Sequence, residues 1–280
     1  MKQSVRIMGL CALVALAAAS CQKNEVKMTN TLSASLNQPT SEGKTHIAAD
    51  DYLVWDEGDQ IAIYDLTEGA SSVQFFTATS SGTTHTTFAG DGTVNANTTL
   101  YALYPPGIVN NGASTIVDLS NQTYVEGTFA TNTYPMAATN NGSGTDFLFR
   151  GIYGVLAIPL TGNCTIGSVD LTDEYMNLKG TAKISFGASG PIVSDFVSPK
   201  SGSKDSRTIT LTCEGGLTLT STPKTIMFVV RPAALASGFT VTFKDPVGEV
   251  LYERVAAPNR NNAIRPEKIL LMPTVDITIP

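Results

Sequence analysis

Apolar residues along this chain recur at every second position, in short runs cut by Gly, Asn, Pro and Ser. Leu32, Ala34 and Leu36 alternate with serines and Asn37, and Ile61 and Ile63 open a run after Gly58-Asp59. Further runs are Leu100 to Tyr104, Thr115 to Leu119, Ile152 to Leu160, Thr181 to Phe186, Thr208 to Thr212, Thr225 to Val230 and Phe239 to Phe243. Ile269 to Leu271 and Val275 to Ile279 close the chain. A period of two marks a half-buried strand, and long stretches with the 3.6-residue helical spacing are missing. Strands separated by turn residues every 8–12 positions or so predict antiparallel sheets packed as sandwiches. The polar stretch Thr139 to Thr145 has no apolar face, so it reads as a boundary. A second soft segment, Ser198 to Asp205, reads as a loop. The expectation is an all-β chain of two tandem antiparallel β-sandwich domains, at 30–142 and 143–280, with no repeat between them.

The first residues follow another rule. Lys2 and Arg6 precede an apolar run from Ile7 to Ala19, and Ala18-Ala19-Ser20 leads into Cys21. A positive start, an apolar run and small residues before a cut make a secretory signal over 1–20. The run is shorter than the roughly 20 apolar residues that span a bilayer core. Small residues immediately before a cysteine resemble the bacterial lipobox, although Ala18 stands where Leu is commoner. Cleavage between Ser20 and Cys21 with lipid on Cys21 is therefore expected. Each buried acyl methylene contributes about 0.8 kcal/mol, and more than one chain makes a durable tether. Polar residues 21–29 read as the lipidated cysteine and its spacer.

Charge and cysteines narrow the function. Lys and Arg number 18 against 24 Asp and Glu, and no basic cluster carries interleaved aromatics, so nucleic acid is not an expected partner. Of 4 cysteines, Cys11 leaves with the signal and Cys21 takes lipid. Cys164 and Cys213 remain, in a compartment where disulfides persist. Spacing leaves open whether they pair or stay as two thiols.

Catalytic chemistry has little to build on. The 2 histidines, His46 and His85, lie in polar settings. No nucleophile elbow and no paired histidines at metal spacing occur. Asp50-Asp51 with Asp56-Glu57-Gly58-Asp59 is the densest acidic cluster, but EF-hand spacing is absent. It reads better as a hairpin turn with Trp55 packed on the core. Tyr64, Tyr101 and Tyr104 fall in strand patterns where core packing is the usual role, although exposed aromatics stack on sugars. No enzyme activity, cofactor or metal is expected. At the C-terminus, Val275, Ile277 and Ile279 form one apolar face, a pattern shared by a closing core strand and by a strand donated to a neighbour.

Several segments, taken in order, resemble the fimbrillin family of Gram-negative anaerobes. They are Lys44-Thr45-His46, Val54 to Tyr64, Tyr101 to Pro105, Pro135-Met136-Ala137 with Phe147 to Arg150, Arg231-Pro232, Gly238 to Thr242 and Ile269 to Pro273. The resemblance implies transthyretin-like sandwiches and a lipoprotein precursor of a fimbrial stalk, tip or anchor subunit at the outer-membrane surface. Its implied partners are other fimbrial subunits, joined when a protease removes the first strand and a neighbour's strand fills the groove, with a host surface or glycan as a further contact. Cleaved members carry Arg at the cut. Here no arginine lies between Arg6 and Arg150, and Lys44 stands at that place. The alternative reading is a surface lipoprotein that binds glycans for nutrient capture.

Overall fold

A computed structural model describes residues 27–42, 53–65, 73–106, 108–110, 114–140, 142–187, 190–197 and 205–280. The signal, Cys21, Lys44, His46 and Asp50-Asp51 lie outside the described residues. The described chain is all-β. Its strands are β1 (Met28–Leu36), β2 (Thr40–Glu42), β3 (Gln60–Asp65), β4 (Val73–Ala78), β5 (His85–Asn95), β6 (Leu100–Tyr104), β7 (Ile108–Asn110) and β8 (Ser114–Asp118). Next come β9 (Asn121–Val125), β10 (Thr128–Phe129), β11 (Met136–Thr139), β12 (Asp146–Gly151), β13 (Gly154–Gly162), β14 (Thr165–Asp173) and β15 (Thr181–Gly187). The rest are β16 (Gly190–Val197), β17 (Thr208–Thr218), β18 (Lys224–Val230), β19 (Phe239–Lys244), β20 (Val250–Ala256), β21 (Lys268–Leu271) and β22 (Val275–Ile277).

Seven strands close a barrel in the order β1-β12-β11-β6-β3-β4-β5. Closure removes exposed edges, the usual weakness of a sheet. Three open sheets accompany it: β10-β9-β17-β14-β19-β20, β18-β13-β21-β2 with β22 also on β13, and β16-β15-β8-β7. The expected boundary at 142/143 falls between β11 and β12, which pair with each other inside the barrel. Pairing is mostly antiparallel, as the hairpin-like spacing predicts. Parallel contacts also occur: β1 with β12, β2 and β13 with β21, β22 with β13, and β9 with β17. Parallel neighbours need long crossovers, so spacing between adjacent runs carries no trace of them.

The buried apolar side chains of the described residues gather into two cores. One is built on the barrel strands, includes Leu32, Trp55, Ile61, Phe76, Phe88 and Phe149, and extends to β13, β15, β18 and β21. The other gathers Ile166, Val169, Leu171, Leu211, Val241 and Phe243. β13 and β18 stand between them. Leu156, Ile158, Ile226 and Phe228 face the second core, whereas Val155, Ala157, Met227 and Val229 face the first. A sheet covered on both faces is expected to read as a continuous apolar run, and Val155-Leu156-Ala157-Ile158 does.

Candidate functional site

β1 is the strand on which the sequence-based assembly reading depends. Alternation sends Leu32, Ala34 and Leu36 into the barrel core, where all three are buried. The serines between them stay on the outer face. There Ser33 Oγ donates to the Asp146 carboxylate, and Ser35 Oγ meets His85 Nδ1 at 2.8 Å. Ser33 to Leu36 are held on both sides, parallel to Asp146–Phe149 and antiparallel to Thr87–His85. Met28 and Thr29 pair with β5 alone. Ladder bonds extend beyond the strand's end: Leu36 N donates to Thr84 O and Asn37 N to Phe149 O, each at 2.9 Å. Taking β1 away would leave β5 and β12 with facing edges and three vacated side-chain sites.

The segment after β1 is tied down as well. Gln38 imitates a strand pairing with Leu53, donating from Nε2 to its carbonyl at 2.8 Å and accepting its N–H at 2.7 Å. β2 then lies beside β21, in register Thr40 with Lys268 and Ser41 with Ile269. Lys268 Nζ donates to Thr40 Oγ1 at 2.7 Å.

At the other end, Val275 and Ile277 are buried in the second core and Ile279 is exposed. β22 lies parallel to β13, with Leu160 opposite Val275 and Gly162 opposite Ile277. Thr161 Oγ1 donates to Asp276 at 2.9 Å. Asn163 clamps the tail from its side chain, donating to Ile279 O at 2.9 Å and accepting Ile279 N at 2.8 Å. Cys164 Sγ donates to Ile277 O at 3.4 Å. Cys164 and Cys213 are both free thiols here. Burial pushes the Cys213 thiol up to about 11 and also raises that of Cys164.

Trp55, Tyr64 and Tyr104 are buried. Trp55 meets Phe88, Tyr104 and Phe149 edge-on at centroid distances of 5.0, 5.3 and 5.2 Å. Tyr101 is half-buried and stacks on Phe186 at 5.0 Å. The aromatics singled out in the sequence are thus core or core-edge residues. Asp56 and Asp59 form a tight turn: Asp59 N donates to Asp56 O, and Asp56 N donates back to Asp59 Oδ2, each at 2.9 Å. Gly58 supplies the required φ of 94°. Tyr104 Oη donates to Asp59 Oδ1 at 3.1 Å. Burial raises the Asp59 pKa most, against the two hydrogen bonds that lower it. The described residues hold no group of three His, Cys, Asp or Glu side chains placed for a metal. Among the described residues, no helix is long and apolar enough to cross a membrane.

No family model matches this chain, and no curated protein does. Solved structures with a similar course include a putative cell adhesion protein from Bacteroides ovatus. It is 13% identical at a TM-score of 0.49, over 80% of this chain and 84% of that one. A putative cell adhesion protein from Bacteroides fragilis is 10% identical at 0.48, over 89% and 92%. A fimbrial protein from Bacteroides ovatus is 10% identical at 0.39, over 89% of this chain and 50% of that one. Likenesses this distant carry no argument about function, which rests on the residues.

Sequence reasoning singled out β1 and the C-terminal strand, and missed β2, Gln38, Asn163 and Glu267. Their signals are polar side chains in irregular segments, whose partners lie far away in the chain.

Proposed function

We propose that this chain is a cell-surface fimbrial or adhesion subunit without catalytic activity, exported as an outer-membrane lipoprotein on Cys21 and assembled by β-strand complementation. In this reading its sheets make two transthyretin-like sandwiches in tandem, and its partners are other subunits of the same kind. The observation that carries it is β1: an N-terminal strand, preceded by a signal and lipobox-like sequence, that fills a slot between β5 and β12 with three buried side chains. Cutting near Lys44 would detach the covalent hold on that strand. A strand from a neighbour then supplies the same ladder bonds and side chains, which is β-augmentation. The buried positions of Trp55, Tyr64 and Tyr104 favour this over an aromatic sugar platform.

The test compares the mature chain with one beginning at Thr45. The mature chain is expected to be monomeric in sizing experiments. The shortened chain is expected to self-associate, and an added peptide of residues 28–42 should return it to the monomer. If both chains are monomeric and neither takes up the peptide, strand complementation fails.

A further inference from the structure

The N-terminal segment crosses from the barrel to the five-stranded sheet, and one residue stands at the crossing. Glu267 Oε1 accepts from Asn37 Nδ2 at 2.6 Å. Its carbonyl accepts from Thr40 N at 3.0 Å, and its own N–H donates to Tyr153 O at 3.2 Å. Arg150 approaches the same carboxylate at 3.5 Å. The Glu267 backbone has a φ of 58°, a conformation uncommon for a residue with a side chain. Such a conformation persists where the surroundings over-determine it. Here Tyr153, just before β13, Thr40 at the start of β2 and Asn37 all bond to it. Asn37 is fixed from the other side too, since its N–H donates to Phe149 O on β12 at 2.9 Å.

We infer that Glu267 is a specificity-determining residue for strand replacement, selecting a side-chain amide at the position directly after the slot-filling strand. The inference rests on the strand-complementation reading and adds to it a checkpoint outside the barrel. The partner it fits is a polypeptide strand with apolar residues at the positions of Leu32, Ala34 and Leu36, followed at once by Asn or Gln. A carboxylate acceptor with 26% side-chain exposure rewards an N–H donor and repels a second carboxylate. A hydrogen bond to a charged group changes affinity by about tenfold or more.

The test uses the full mature chain with a site-specific protease sequence placed after Lys44, cut, and incubated with fluorescent peptides of residues 28–42. The wild-type peptide is expected to enter. Asn37→Ala should bind about tenfold more weakly and Asn37→Asp more weakly still. Glu267→Gln in the chain should recover Asn37→Asp, because the new amide donates to the peptide carboxylate. Equal uptake of all three peptides by the wild-type chain would overturn the inference and leave strand replacement standing. Continued exclusion of Asn37→Asp by the Glu267→Gln chain would also overturn it. If no peptide enters and the cut chain keeps its own segment, strand replacement fails and this inference with it.

Discussion

Trp55 illustrates how far one residue can be read. Its place beside an acidic turn marked it for the core, and three edge-on aromatic neighbours explain why it stays there. Trp55→Ala is expected to lower stability by about 3–5 kcal/mol in a denaturant titration, the range for emptying a large aromatic site. Asp59 behaves oppositely to a salt-bridged acid. Burial lifts its folded pKa above the ordinary 3.8, so the folded state holds its proton more tightly than the unfolded chain. That stability is present below about pH 3.8 and is lost as pH rises through the folded value. Melting temperatures of wild type and Asp59→Asn, compared at pH 7 and pH 4, should move in favour of wild type at the lower pH. A gap that stays constant would show that burial does not penalise the charge. For Cys213, a thiol pushed up to about 11 is protonated and slow at neutral pH. Maleimide should therefore leave it unlabelled in the folded chain and label both Cys164 and Cys213 after unfolding without reductant.

Among elements, the C-terminal strand is the sharpest case. Its alternation is equally compatible with closing its own core and with donation to a neighbour. The structure seats Val275 and Ile277 in the second core beside β13. Removing Thr274 to Pro280 takes away two buried β-branched side chains, on the order of 1.5–3 kcal/mol each. The melting temperature is expected to fall sharply, since whole domains are stable by only about 5–15 kcal/mol. Unchanged melting would mean that the tail contributes nothing to its own fold. β13 is a different lesson. Its unbroken apolar run hides which side chains face which core, and only packing between two cores sorts Val155 and Ala157 from Leu156 and Ile158.

For the whole molecule, Asn140 shows that a polar stretch need not be a free linker. Its side chain accepts from Leu100 N at 2.9 Å and donates to Thr98 O and Gly144 O at 2.9 and 3.1 Å. Beyond it, β12 returns to β1 and β11 to close the barrel. Limited proteolysis near Gly142 is therefore expected to give a nick whose two fragments co-elute until denaturant is added. Fragments that separate in native buffer would show that β12 contributes little to holding the halves together.

The sequence by itself determined the all-β class, the buried face of β1 and the alternation of the C-terminal strand, and it marked about half of the strands, though not β5, β14 or β20. These follow from a two-residue period and from turn formers, which act locally. Only the tertiary structure decided barrel closure, the parallel pairings, the double-faced sheet and the Asn37–Glu267 contact. Asn37 and Glu267 are 230 positions apart, and no local periodicity links them. Long-range pairings are chosen by which edges and cores the folded chain leaves open, a choice that the local alternation of apolar and polar residues does not make.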